Sequence, residues 1–459
     1  MADFASGLLN PTNSTVVNSD QNLESMAMGN ARTVPENGTS TTTAPGLSPD
    51  EIALYDRQIR LWGAQAQERI RSANILLISL RALGTEIAKN LTLAGISSLT
   101  IIDDEPVSEE DLGAQYFLRD EDIGEPRAEA AIPRIQELNP RVLVKSGGTL
   151  SNLLAQDQTY YTPYQCIIAC DHDFNTLSTI NTITHLAARP FYAASIHGFY
   201  GFIFADLVSH DFILEREKSN VATSPGSETL TRSILSVTNK KENNGKTTEI
   251  VKKREIYCPL ILANSSPLSP DILGSRRKLK TVPALLPCLR ALFDFQRTYS
   301  RLPDTHTSTD LAIFTTLATT KSRELQLPLE SLKAEFLRSF MQNLGAEIVP
   351  TAAFVGGRLS EDVINVLGGK EQPLQNFAIF DGENFDGRIY SLYSTPPELV
   401  DFGNSVNGEM LHANVNAVAA APANGLGLSM GGSNGTAGGG GMTGVTSAPA
   451  NGAEVVELE

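Results

Sequence analysis

The clearest pattern of apolar positions lies between residues 73 and 104. The run Ala73–Leu80 is apolar almost throughout, which is typical of a strand buried on both faces. Apolar residues then recur at helical spacing from Leu83 to Ala94, and a second apolar run, Leu99–Ile102, ends in two aspartates. The order strand, turn, helix and strand within about 30 residues predicts a βαβ unit of the nucleotide-binding type.

Similar patterns on either side of this unit predict the rest of an α/β domain. Ser48 and Glu51 have the spacing of a helix start, in which a serine cap is followed three positions later by a glutamate. Further strands are predicted at 142–145, 165–170, 191–196, 198–207, 377–382 and 387–392, and further helices at 174–188, within 283–345 and at 352–367. The last strand pair implies that the chain leaves the sheet for a helical insert and then returns to it.

Changes in composition along the chain predict where the folded domain begins and ends. Residues 1–47 are rich in small polar residues, and residues 401–459 are rich in glycine and contain no Lys or Arg, so we predict disordered tails at both ends. Residues 217–252 are polar without periodicity and predict a mobile polar loop. The predicted domain therefore comprises a first part at 48–216, a strand and helical insert at 253–345, and a return to the core at 346–400.

Charge and cysteine content exclude several classes of protein. The formal net charge of -16 argues against a general nucleic-acid binder. The four cysteines are too scattered for a disulfide framework, and the pair Cys166 and Cys170 has no second pair with which to hold zinc. No secretory leader opens the chain, and no apolar run reaches the roughly 18 residues of a membrane helix. We therefore expect a protein of a reducing compartment with no bound metal and no membrane contact.

The turn of the βαβ unit carries the first candidate chemistry. A turn that binds phosphate has three glycines, so that backbone N–H groups can approach the pyrophosphate. Here only the third glycine remains in the six turn residues, which are Ser79, Leu80, Arg81, Ala82, Leu83 and Gly84. Asp103, after the second strand, stands where such folds place a ribose-binding acid. These residues alone leave open a weakened nucleotide site or a Rossmann-like fold that has lost its ligand.

Five further motifs follow one another along the chain. They are Tyr55–Gly63, Gly84–Leu91, Gly113–Arg119, Ile123–Glu129 and Leu138–Pro140. In this order they resemble the activating enzymes of ubiquitin-like modifiers, and most of all the smaller, non-catalytic subunits of the heterodimers that activate SUMO. The resemblance spans 48–393 with a gap near 219–250. It implies an adenylation domain of the ThiF/MoeB type.

The resemblance also implies that this chain acts together with a catalytic partner subunit. In the family, the arginine of the Tyr-Asp-Arg-Gln motif, here Arg57, crosses the dimer interface and contacts the phosphates of ATP held by the other subunit. A planar, permanently charged guanidinium suits this role because it can bind two phosphate oxygens while pyrophosphate leaves. Without the resemblance, Arg57 would be interpreted as a surface arginine. ATP and Mg²⁺ are therefore expected in the partner subunit, and no cofactor in this chain.

Three differences from active subunits of the family predict that this chain's own nucleotide site is inactive. The three acids Glu109–Asp111 stand where active subunits supply an asparagine and an arginine, and at close range they would repel a triphosphate. Arg127 lies at the position of a lysine of active subunits. Asp171, a candidate magnesium ligand, has lost the pattern around it. Asp103 is accordingly interpreted as vestigial.

The expected function is that of the regulatory subunit of a SUMO-activating enzyme, inactive alone. With its catalytic partner it would support ATP-dependent adenylation and thioester activation of SUMO, the first step of sumoylation. SUMO itself and, through the complex, the SUMO-conjugating enzyme are further expected partners. Nuclear and also cytoplasmic localisation is expected, because the basic clusters Lys252–Arg254 and Arg276–Lys280 suit nuclear import, although solvated loops are the other interpretation.

Three alternatives remain open at this point. The chain could be the corresponding subunit for the Nedd/Rub modifier or for ubiquitin, a non-catalytic scaffold, or a degenerate dinucleotide-binding protein. Against the last of these stands the missing three-glycine turn.

The extreme C-terminus carries one more candidate site. Val455, Val456 and Leu458, flanked by glutamates, resemble a SUMO-interacting motif that adds as a strand to an exposed sheet edge. An acidic tail with incidental valines is the alternative interpretation.

Overall fold

The computed structural model describes residues 46–218, 223–241 and 247–394. All of its secondary structure belongs to the unit that begins at Leu47. The predicted tails lie outside the described residues, apart from Gly46 and Leu47. The candidate SUMO-binding residues Val455, Val456 and Leu458 also lie outside them.

The described part contains α-helices and β-strands in alternation. The helices are α1 Pro49–Leu54, α2 Asp56–Trp62, α3 Ala64–Arg71, α4 Ala82–Ala94, α5 Glu109–Ala114, α6 Arg127–Leu138, α7 Leu150–Leu154, α8 Gln158–Tyr161, α9 Phe174–Leu186, α10 Leu260–Ser265, α11 Pro270–Leu273, α12 Arg276–Leu279, α13 Leu285–Tyr299, α14 Ser308–Glu324, α15 Ala334–Gln342 and α16 Val349–Gly368. The strands are β1 Asn74–Ile78, β2 Ser98–Ile102, β3 Leu143–Ser146, β4 Cys166–Cys170, β5 Phe191–His197, β6 Tyr200–Asp206, β7 Ser209–Glu217, β8 Gly226–Ser227, β9 Arg232–Lys241, β10 Thr247–Ile256, β11 Phe377–Asp381 and β12 Asp386–Tyr390.

One eight-stranded sheet organises the domain, in the order β12-β11-β6-β5-β4-β1-β2-β3. The five strands from β5 to β3 in this order run parallel to one another, whereas β6, β11 and β12 are antiparallel additions at one side. The parallel strands read as continuous apolar runs because both faces of the sheet are covered. The predicted α/β class, with its βαβ unit at β1-α4-β2, is confirmed.

Alternate residues of β1 belong to two separate apolar clusters. Ile75 and Leu77 pack with α4, α6 and α16 on one face of the sheet, whereas Leu76 and Ile78 pack with α9, α13 and α14 on the other. This double layer leaves the carboxyl ends of β1, β2 and β4 at one edge of the sheet. In open α/β sheets, ligands bind at that edge.

The structure differs from the polar loop predicted at 217–252. A second, antiparallel sheet in the order β7-β10-β9-β8 occupies the described part of this region. Apart from Val251, its inner positions on β10 are charged rather than apolar: Glu249 pairs with Arg216, Lys253 with Glu228, and Glu255 with Arg232. The alternation of a half-buried strand is therefore present, but ion pairs replace the apolar residues by which alternation is normally recognised.

No helix within the described ranges is both long and apolar enough to span a membrane.

Candidate functional site

The turn between β1 and α4 keeps the backbone shape of a phosphate-binding turn although two of its glycines are missing. Ser79, at the first glycine position, has a left-handed backbone with φ of +73°. At the third glycine position, a Cβ on Gly84 would lie 2.2 Å from the carbonyl oxygen of Ser79. The tight turn therefore still requires Gly84, because a side chain at this position of α4 would collide with the backbone at the end of β1.

A carboxylate from the same chain occupies the N-terminus of α4. Glu347 accepts a hydrogen bond from the backbone N–H of Ala82 at 3.1 Å, and its other oxygen lies 2.5 Å from Nε of Arg81. A helix N-terminus attracts anions because its first N–H groups have no partner within the helix. Glu347 thus takes the position that a nucleotide phosphate would need.

The acid after β2 is engaged as well. Asp103 accepts a hydrogen bond from the N–H of Leu80 at 2.6 Å, and both of its oxygens lie 2.8 Å from Arg127. Arg127 also forms an ion pair with Asp111 at 3.2 Å, and the side chains of all three charged residues are at most 5% exposed. Burial raises the pKa of Asp111, but the N–H of Ser108 and the charge of Arg127 lower it below its ordinary value. The carboxylate therefore stays charged in its pair with Arg127.

The cavity beside these groups carries an excess of negative charge. It measures about 680 Å³ and is lined by four carboxylates against two guanidinium groups, namely Glu105, Glu110, Asp111, Glu347, Arg81 and Arg127. Glu109 is exposed on the first turn of α5, next to this lining. The residues present therefore do not fit a nucleotide, because the phosphate position is filled, Asp103 is bound by Arg127 and the remaining lining repels a triphosphate.

Asp171 lies at the same sheet edge, just after β4. One of its oxygens accepts hydrogen bonds from Oγ of Ser195 at 2.9 Å and from the N–H of Ile196 at 3.1 Å. Burial, together with the charge of Glu347, raises the pKa of Asp171 to about 7. In the described part of the chain, no group of three or more His, Cys, Asp or Glu residues is arranged to hold a metal ion.

Arg57 lies apart from this cleft, on the exposed side of α2. It makes no hydrogen bond or ion pair with any residue that the structure describes, whereas Arg60 on the same helix pairs with Asp56 at 3.0 Å. Exposed apolar side chains accompany it on α1, on α2 and near the end of α4, namely Ile52, Leu54, Leu61 and Leu93. The most exposed of these is Leu61, at 78%. A free guanidinium beside an uncovered apolar surface is typical of an interface with another protein.

Comparison with known proteins shows the family of this chain. The model of the ThiF family matches residues 55–398. The chain belongs to the ThiF family. It is similar to SUMO-activating enzyme subunit 1 of Homo sapiens, with 33% identity over 351 residues that cover 76% of this chain and 96% of that protein. DNA damage tolerance protein RHC31 of Saccharomyces cerevisiae is 37% identical over 350 residues, or 75% of this chain and 97% of that protein.

Membership of the ThiF family confirms the resemblance and the adenylation-type fold that the sequence motifs predicted. The structure brings the turn residues Ser79–Gly84, Asp103 and Asp171 together at one sheet edge, and it separates Arg57 from them. Sequence reasoning missed Glu347, which is 265 positions away from its hydrogen-bond partner Ala82. No local motif identifies Glu347, because its position depends on how the chain returns to the main sheet just before α16.

The cysteines of this ThiF-family chain are unsuited to thioester chemistry. All four are buried free thiols, namely Cys166, Cys170, Cys258 and Cys288. Burial raises the pKa of Cys258, which precedes a proline in the sequence, to about 12. The nucleophilic form of cysteine is the thiolate, so these side chains are inert at neutral pH.

Proposed function

We propose that this chain is the non-catalytic, regulatory subunit of a heterodimeric SUMO-activating enzyme. Its catalytic partner would bind ATP, Mg²⁺ and the C-terminal Gly-Gly of SUMO, form the SUMO adenylate and then carry SUMO as a thioester. The observation that carries the proposal is a contrast within this chain. Glu347 and Arg127 fill its own nucleotide cleft, while Arg57 stands free on the surface.

The relatives support the assignment to SUMO. SUMO-activating enzyme subunit 1 of Homo sapiens and that of Xenopus laevis are 33% and 32% identical to this chain, and the alignments cover 96% and 97% of those proteins. Because the similarity extends over nearly their whole length, the chain would take the same place in a two-subunit enzyme.

The role proposed for Arg57 follows from the chemistry of adenylation. The terminal carboxylate of the modifier attacks the α-phosphorus of ATP, and pyrophosphate leaves with additional negative charge. A guanidinium at the phosphates stabilises that charge in the transition state, and it can do so with two parallel hydrogen bonds. Arg57 would act in trans on ATP bound by the partner, since it lies apart from the cleft of its own chain, where Glu347 takes the phosphate position.

The apolar side chains around Arg57 would be covered by the catalytic subunit. Ile52, Leu54, Leu61 and Leu93 are each between 45% and 78% exposed in this chain. Burying such side chains against a partner contributes roughly 25 cal/mol per Å² of apolar surface, which offsets part of the entropy lost on association. The same contact would bring Arg57 across the interface.

Localisation in the nucleus, and also in the cytoplasm, belongs to the same proposal. The basic cluster on β10 is engaged in ion pairs, because Lys252 and Arg254 pair with Asp211 and Lys253 pairs with Glu228. The cluster Arg276–Lys280, on and just after α12, is more accessible, and among the residues that the structure describes only its Lys278 pairs with an acid, Asp271. Nuclear import would therefore use the second cluster.

Reconstitution with candidate partners tests the proposed function. The chain is co-expressed with the catalytic subunit for SUMO and, separately, with that for Nedd/Rub, and ATP–pyrophosphate exchange is measured with SUMO, Nedd/Rub and ubiquitin. We expect exchange only from the pair with the SUMO subunit and only with SUMO. SUMO without its C-terminal Gly-Gly is the negative control. Exchange driven by another modifier would reassign the chain within the family, and exchange by this chain alone would contradict a regulatory role.

A further inference from the structure

The C-terminal end of α4 is held by three side-chain amides from other parts of the chain. Asn139 donates to the carbonyl oxygen of Thr92 at 3.0 Å, Gln58 to that of Leu93 at 3.1 Å, and Gln67 to that of Ala94 at 3.1 Å. The last four carbonyls of a helix have no partner within it, so side chains commonly satisfy them. Here the amides come from three segments, and two of these, α2 and α3, directly follow one another.

Asn139 extends this contact to the first residue of the Arg57 motif. Its side-chain amide also donates to the hydroxyl of Tyr55 at 2.9 Å, and both side chains are buried. Tyr55 is the N-cap of α2. The tyrosine hydroxyl fits closely over Gly95, where a Cβ would lie 2.4 Å from it and where φ is +80°. The N-terminal end of α2 is therefore fixed to the end of α4.

The other end of α2 is connected to α4 through Gln67. Nε1 of Trp62 donates to Oε1 of Gln67 at 2.8 Å, and the amide of Gln67 bonds to Ala94. The contacts of Tyr55, Gln58 and Trp62 thus occur at the start, the middle and the end of α2. Arg57 lies between the first two contacts.

These contacts matter because α2 has little apolar packing besides that of the half-buried Trp62. It contains seven residues and none of them is buried. A helix this short is not stable on its own in water, so its orientation depends on the bonds that tie it to the domain. Without them, the backbone at Arg57 would be free to shift relative to the partner's active site.

We propose that Tyr55, Gln58 and Asn139 are positioning residues for Arg57. They hold α2 against the end of α4 and so fix the backbone from which the Arg57 side chain, free of partners in the described residues, extends toward the partner subunit. None of the three would touch ATP or SUMO. The inference rests on the proposed function, because it assigns these residues a role through the arginine that acts in trans.

Variants in the assembled heterodimer test this inference. Gln58→Met keeps the length of the side chain but removes its donor. Asn139→Ala removes the two bonds that the buried amide donates to Tyr55 and Thr92, together with the one that it accepts from the N–H of Arg141. Each is measured alone and combined with Arg57→Ala, with kcat and the KM for ATP taken from pyrophosphate exchange. We expect about a 3- to 10-fold loss of kcat from each single variant, as for coupled neighbouring residues. On the Arg57→Ala background we expect no further loss, because the arginine through which they act is gone.

A matched control variant and a measurement of heterodimer assembly distinguish an effect on the position of Arg57 from a general loss of stability. Gln156 is the control, because its side-chain amide also donates an exposed hydrogen bond to a backbone carbonyl, that of Asn152, at 3.1 Å. It is far from α2 in the sequence, so Gln156→Met should leave kcat unchanged. Heterodimer formation is followed by size-exclusion chromatography. If Asn139→Ala does not fold, Tyr55→Phe, which keeps the ring and removes the hydroxyl, takes its place.

The outcomes are distinct. If the loss of kcat in Gln58→Met or Asn139→Ala multiplies with the loss in Arg57→Ala, these residues have a merely structural role and the inference is overturned. A wild-type kcat in the assembled Gln58→Met heterodimer would overturn it as well. Both results leave the proposed function intact if Arg57→Ala itself is slow. A wild-type rate in Arg57→Ala would instead overturn the proposed role of the arginine and this inference with it.

Discussion

Replacing Arg57 by alanine is expected to slow adenylation by the assembled heterodimer about 10- to 100-fold, which corresponds to the roughly 1.5–3 kcal/mol of a hydrogen bond to a charged group. The loss should appear in ATP–pyrophosphate exchange, because a charged contact to the phosphates would disappear from the transition state. The fold of this chain should be unaffected, since Arg57 makes no hydrogen bond or ion pair within the described residues of its own chain. Assembly should persist because the exposed apolar side chains around Arg57 remain in place.

Arg60→Ala is the control for this prediction. Arg60 lies on the same helix, its side chain is 77% exposed, and it pairs with Asp56. It carries the same charge toward the same surface but is already engaged within the helix, and exposed pairs of this kind contribute little energy. We expect exchange within about twofold of wild type from Arg60→Ala. Equal losses in both variants would indicate a general effect of positive charge rather than a contact made by Arg57.

Replacing Arg127 by methionine is expected to lower the free energy of unfolding of this chain by about 3–5 kcal/mol. Arg127 lies between Asp103 and Asp111, and the three side chains are 5%, 3% and 5% exposed. Methionine fills a similar volume but leaves two buried carboxylates without their counter-ion, and this uncompensated charge is the source of the loss. Urea unfolding at neutral pH measures the change.

Lys278→Met provides the comparison for a surface ion pair. Lys278 pairs with Asp271, and the two side chains are 55% and 64% exposed, so solvent screens their interaction. We expect a loss of at most about 1 kcal/mol. Adding Asp103→Asn and Asp111→Asn to Arg127→Met should recover part of the lost stability, because both uncompensated charges are then gone. An Arg127→Met chain as stable as Lys278→Met would mean that the ion pairs of Arg127 with Asp103 and Asp111 do not stabilise the cleft.

The sequence predicted those parts of the molecule whose cause is local. Ser48 and Glu51 form the expected reciprocal cap, with the N–H of each bonded to the side chain of the other at 2.9 and 3.2 Å. Gly84 remains because the turn leaves no room for a Cβ, and that requirement is visible in the sequence. Continuous apolar runs identified the buried parallel strands because both faces of the sheet are covered.

Two features escaped prediction because their cause is not local. Glu347 reaches the N-terminus of α4 from a segment that is distant in the sequence, so no pattern near the turn between β1 and α4 predicts this contact. The second sheet has charged residues such as Lys253 and Glu255 at inner positions of β10, and these satisfy one another in ion pairs. A pattern of apolar and polar residues cannot indicate which charges will be buried with a partner.

The number of nucleotides bound per complex tests the proposed division of labour most directly. Calorimetric titration of a non-hydrolysable ATP analogue is carried out on this chain alone and on the purified heterodimer. Because Glu347 and Arg127 fill the cleft of this chain, we expect no binding to the isolated chain at micromolar concentrations and one nucleotide per heterodimer. Stoichiometric micromolar binding to the isolated chain, or two nucleotides per heterodimer, would contradict the proposal that this subunit has no nucleotide site of its own.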